Sequence, residues 1–143
     1  MEQNKEEEEV LSAEYCASFY DKVAEKKERQ AKTLDLSYGE ITSQNMGQLR
    51  LLLEKTLPVK YQNNFYRRLV NFERYSKLCY FKDVLIAAIT VKEEMRDGEM
   101  VLYMMTITVL KPYRRYQVGS MLMAEMLRDL KERGEFKKMY LDV

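Results

Sequence analysis

A chain in which Met100-Val-Leu-Tyr-Met-Met-Thr-Ile-Thr-Val-Leu110 runs without a gap into Lys111-Pro112-Tyr113-Arg114-Arg115 has few folds open to it. The uncharged first part, rich in β-branched residues, reads as a long apolar strand. Pro112 stops further ladder pairing. Met121, Leu122, Met126, Leu127 and Leu130 then recur at helical spacing, so a buried helix opens near Gly119 and ends near Gly134. A strand that passes through a basic turn into a helix N-terminus presents unpaired amides and the positive end of the helix dipole. With Arg114 and Arg115 beside it, this junction favours an anion such as a pyrophosphate. On the residues alone an anion site and a turn made soluble by two arginines are both open.

The flanking segments place that junction in a sheet. Residues 78–82 and 84–92 read as strands joined at Asp83, and Arg96-Asp97-Gly98 turns the chain into the apolar run, which predicts an antiparallel meander. Lys138 to Val143 reads as a last strand, parallel to its neighbour because a helix separates the two. Leu34, Leu36 and Tyr38 alternate like a short strand. Thr42 or Ser43 can cap a helix holding Met46, Leu49, Leu52 and Leu53, which should stop before Pro58. A second helix is expected over Tyr61 to Asn71, with Phe65 and Leu69 on one face. The order β-α-α-β-β-β-α-β is α/β, one mixed and mostly antiparallel sheet flanked by helices. The ten methionines read as core filling.

A length of 143 residues fits one domain. We divide it into an acidic extension, 1–33, and a domain, 34–143. Nine acids against five bases fill residues 1–30, and Leu11, Tyr15 and Phe19 at four-residue spacing predict an amphipathic helix over 10–29, packed on its own domain or docking a partner. A net charge of +1 argues against nucleic acid as a partner, while the basic body suits a small anionic ligand. The absence of histidine excludes mechanisms built on an imidazole base and the usual His-rich zinc sites. Cys16 and Cys79 read as reduced thiols. With no secretory leader and no apolar run of about 20 residues, the expectation is a soluble cytoplasmic or nuclear protein and no membrane partner.

Over residues 34–143 the sequence resembles the GNAT acetyltransferases, whose R-x-x-G-x-G/A motif binds the pyrophosphate of acetyl-CoA, and among them the NatE catalytic subunits. The resemblance is carried by Leu57-Pro58-Val59-Lys60-Tyr61 with Phe65-Tyr66, by Leu102-Tyr103-Met104-Met105-Thr106, by Pro112-Tyr113-Arg114-Arg115 and by Tyr140-Leu141. It implies the GNAT (acyl-CoA N-acyltransferase) fold and transfer of acetyl from acetyl-CoA, as co-substrate and without a metal, to the α-amino group of protein N-termini beginning with methionine. It also implies that the peptide lies against Leu57, Pro58, Val59, Tyr61 and Met105. The cofactor falls on Ile107, Thr108, Val109, Arg114, Arg115, Gln117, Val118, Gly119 and Ser120, and Tyr103 takes the family's catalytic tyrosine position. The family's scaffold subunit and the ribosome are the further partners it suggests.

Three departures bear on activity. Gln117 stands where the motif has its first glycine, and a left-handed conformation there would cost about 1 kcal/mol. Asp142 replaces the family's catalytic histidine and is the candidate catalytic residue in its place or a plain polar strand end; an Asp titrating near ~3.9 is a poor base for an α-amine titrating near ~7.7 to 8.0 unless burial raises it. The chain also stops at Val143, before the family's last helix and strands, so the edge of the final strand is either left unpaired, as in a fragment or truncated product, or covered by a partner. Besides the transferase, these residues therefore support a non-catalytic subunit that keeps the fold, or a module that binds CoA without transfer.

Overall fold

The computed structural model describes residues 8–12, 34–71, 74–134, 136 and 138–142. Its strands are β1 (Glu8–Ser12), β2 (Leu36–Gly39), β3 (Lys77–Phe81), β4 (Val84–Arg96), β5 (Glu99–Val109) and β6 (Lys138–Asp142). They form one sheet in the order β1-β6-β5-β4-β3-β2. The helices are α1 (Met46–Thr56), α2 (Asn63–Asn71) and α3 (Val118–Arg133), with a 3-10 turn at Lys111–Tyr113. No helix among the described residues is long and apolar enough to cross a membrane.

Strands β3 to β5 make the expected meander. Both hairpins turn on two residues with positive φ, Lys82 and Asp83 in the first and Asp97 and Gly98 in the second. Such primed turns match the right-handed twist of the strands they join. β5 and β6 are parallel, joined by α3 as the crossover. α3 ends where Gly134, at φ 61°, donates its amide to the Leu130 carbonyl at 3.1 Å.

The sheet has a core on each face. Ile86, Ile89, Val91 and Leu102 pack with Leu122, Met126, Leu127 and Leu130 of α3 on one side. Leu49, Leu52, Leu53, Tyr66 and Leu69 of α1 and α2 close over Leu78, Leu85 and Ala88 on the other. Each such side chain contributes about 1.5–3 kcal/mol by leaving water. Met95 and Met100, opposite each other at the tip of the β4–β5 hairpin, are exposed and so fill no core.

Four local expectations are corrected. The α1 N-cap is Asn45, not Thr42 or Ser43; its side chain closes the preceding turn by accepting from the Thr42 amide and donating to the Glu40 carbonyl, each at 2.8 Å. α2 begins at Asn63, two residues later than expected; Tyr61 precedes it and stacks on Phe65 with ring centroids 4.1 Å apart. Val10–Ser12 are strand, not helix, and residues 13–29 of the expected helix lie outside the described residues. β1 pairs antiparallel with β6, from Glu8 opposite Asp142 to Ser12 opposite Lys138, so the edge of β6 is covered. A sheet edge offers ladder partners at once, whereas a short helix must first form a costly nucleus.

Candidate active site

The site is built by an irregularity in β5. Thr90 faces Thr106, but the next pair is Val91 with Met104, leaving Met105 as the extra residue of a bulge. The bulge turns Met105 and Thr106 toward the same face. Met105 packs against the α1–α2 core, and the Thr106 hydroxyl meets that of Thr90 at 2.6 Å, both buried.

On its other edge β5 pairs with β6 only from Leu102 to Met104, so 105–109 have no strand beside them among the described residues. The Leu110 amide donates to the Ile86 carbonyl at 2.8 Å, which makes that pair the hydrogen-bonded kind. By antiparallel alternation Thr108 bonds toward β4, whereas Ile107 and Val109 turn their N–H and C=O groups to the open edge. The Val109 carbonyl confirms the direction by accepting from Arg114 Nε at 3.0 Å.

Beside that edge lies a cavity of about 610 Å³, lined by Thr56, Leu57, Ile107, Thr108, Val109, Arg114, Gly119, Ser120 and Met123. α3 starts at Val118 and has no side-chain cap, so the amides of its first turn lack intrahelical acceptors where Gly119 and Ser120 meet the cavity. A Cβ on Gly119 would sit 3.6 Å from Val109 Cγ2, an ordinary contact, so the protein's own packing does not require glycine there. What the missing side chain provides is close approach of a ligand to the helix amides. Arg114 adds positive charge, its Nε anchored on Val109 and its remaining donors available.

Of the nine residues expected to hold the cofactor, six line this cavity. Val118 instead buries its side chain in the α3 core at 2% exposure, and Arg115 is exposed. Gln117 is the residue before α3 and adopts φ 58°, ψ 27°, so the turn does require the left-handed conformation, as it does of Arg115 at φ 78°. Leu57, Tyr61 and Met105 of the expected peptide surface pack against the same α1–α2 core, while Pro58 and Val59 are exposed. Thr56 and Met123 also line the cavity. Helical spacing from Gly119 to Met123 carried that signal; nothing in the sequence singled out Thr56.

Tyr103 is half-buried, one residue before the rung where β5 and β6 part. It lies between Lys92 on β4 and Tyr140 on β6, with Lys92 Nζ 5.2 Å from its ring centroid. Asp142 closes β6; its side chain is outside the described residues.

This geometry has known counterparts. Zebrafish (Danio rerio) N-alpha-acetyltransferase 50 is 31% identical over 76% of this chain, and the Drosophila melanogaster probable N-acetyltransferase san is 28% identical over the same share. The match spans 64% and 59% of those two proteins, less than two thirds of either. Arabidopsis thaliana Naa50, solved with the bisubstrate analogue CoA-Ac-MVNAL, superposes with a TM-score of 0.66 at 29% identity, covering 76% of this chain and 72% of that one. Arabidopsis thaliana NAA60 with acetyl-CoA shares the fold at a TM-score of 0.65 and 15% identity, covering 74% and 75%. Residues 44–143 match the model of the Acetyltransferase (GNAT) family, and the chain belongs to that family.

Proposed function

We propose that the protein transfers acetyl from acetyl-CoA to the α-amino group of protein N-termini that begin with methionine. The observation that carries this reading is one cavity bordered both by the outward-turned backbone of Ile107 and Val109 and by the uncapped start of α3. The first suits an extended thioester arm, the second a diphosphate. The Met-starting analogue held by the Arabidopsis relative supports the substrate class.

The amine nitrogen bonds to the thioester carbonyl carbon, the C–S bond breaks, one amine proton leaves and the thiolate gains one. N–H groups of Ile107 and Val109 lie where they would stabilise the carbonyl oxygen as it becomes negative. Tyr103 relays the amine's proton. At neutral pH about a tenth of a free α-amine is already uncharged, so positioning supports transfer without an imidazole. A scaffold subunit and the ribosome are the partners this role calls for, with the cytoplasm and nucleus as its setting.

One observation favours the alternative, a subunit that keeps the fold without turnover: Gln117 holds a side chain on a left-handed turn at the phosphate end. Calorimetric titration of the 143-residue chain with acetyl-CoA decides between them. The transferase predicts binding, acetylation of Met-starting peptides, and at least ~10-fold slower turnover for Tyr103→Phe. No heat at millimolar acetyl-CoA would sink it, and an undiminished Tyr103→Phe would remove that residue from the mechanism.

A further inference from the structure

A second cluster sits on the sheet face opposite α3. Val91, Leu102 and Met139 pack into the α3 core, so by alternation Lys92, Tyr103 and Tyr140 share the other face, and the pairing sets them side by side on β4, β5 and β6. Arg96, near the tip of the β4–β5 hairpin, has its Cζ 4.3 Å from the centroid of Tyr140 and 5.8 Å from that of Tyr103. Its Nε is held by Glu94 at 3.1 Å, and Glu94 also lies 3.9 Å from Lys92 Nζ. One guanidinium thus bears on both rings, and a carboxylate on its own strand fixes it there.

We propose that Arg96 is a positioning residue for the transfer reaction: it sets the orientation of Tyr103, using Tyr140 as its platform and Glu94 as its anchor. This rests on the reading of Tyr103 as the proton relay. A cation over two rings restricts their rotation, and the guanidinium's planar face makes that restriction directional. Tyr103 stands next to the point where β5 and β6 separate, so a tilt of its ring moves its hydroxyl relative to the cavity edge. Misplacement of a catalytic group by about 1 Å can cost up to ~100-fold in rate.

The test is a double-mutant cycle on the full chain, with acetyl-CoA and a Met-starting peptide. Arg96→Ala should lower kcat about 10-fold while KM for acetyl-CoA stays within about 2-fold, because the cavity is untouched. Arg96→Lys, which keeps the charge and loses the plane, should restore little of it. In the Tyr103→Phe background Arg96→Ala should cost less than about 2-fold, since its effect passes through the missing hydroxyl. Should Arg96→Ala fail to fold, Glu94→Gln, which weakens the hold on Arg96 Nε, should lower kcat in the same direction by a smaller factor and lose that effect in the Tyr103→Phe background. Equal losses in both backgrounds, or a loss confined to melting temperature, would overturn the proposal and leave the transferase standing. No acetylation by the unmodified chain would sink the transferase itself.

Discussion

At the scale of single residues, Gln117 bears a strained dihedral at what we propose is the phosphate end of the site. Its φ of 58° is the conformation that glycine adopts freely and that costs a side-chain-bearing residue about 1 kcal/mol. Gln117→Gly should therefore raise stability by up to about 1 kcal/mol, seen as a higher melting temperature, and tighten acetyl-CoA binding severalfold. A lower melting temperature would mean that the glutamine side chain contributes more than the strain it bears. The departure from glycine was visible in the sequence; the sign of the dihedral that gives it a cost was not, because it depends on how the turn rejoins the sheet. Val118 makes the complementary point, since its place in the motif said nothing about a side chain turned into the core.

At the scale of elements, the β5 bulge couples packing to the open edge. Its buried hydroxyl pair, Thr90 with Thr106, bridges β4 and β5 beside the unpaired Met105. Thr106→Val keeps the shape but leaves the Thr90 hydroxyl without that partner, so it should destabilise by about 1–3 kcal/mol in urea titration. If instead stability is unchanged, the pair is not what holds the bulge. The strand itself could be read from its apolar run and its turns. The bulge could not, because an extra residue in an unbroken apolar run leaves no mark in the alternation until a partner strand supplies the register.

At the scale of the whole molecule, burial sets the response to alkali. Cys79 is fully buried, which pushes its thiol from 9.0 up to about 12. Tyr38, its cross-strand neighbour, is raised from 10.0 by burial first and then by Cys79 and Glu125, against the opposing effect of Arg128. Both groups bind protons more tightly in the folded chain than in the unfolded one. Their contribution is therefore complete below pH 9 and is lost as pH rises toward 12. The urea midpoint should fall above pH 9, and Cys79→Ala should flatten that fall. A midpoint level up to pH 11 would contradict the burial.

The sequence by itself determined the meander, the crossover helix and the basic junction, because hydrophobic period, turn residues and helix stops are local and survive in one dimension. The family resemblance added Ile107, Thr108, Val109, Arg114, Gly119 and Ser120, which line the cavity. Only the tertiary structure decided that β1 covers β6, that Ile107 and Val109 turn their backbone outward, and that Arg96 reaches two tyrosines on other strands. Each of these depends on which strand lies beside which, and in what register. Pairing between distant segments is a property of the folded sheet, and no local pattern encodes it.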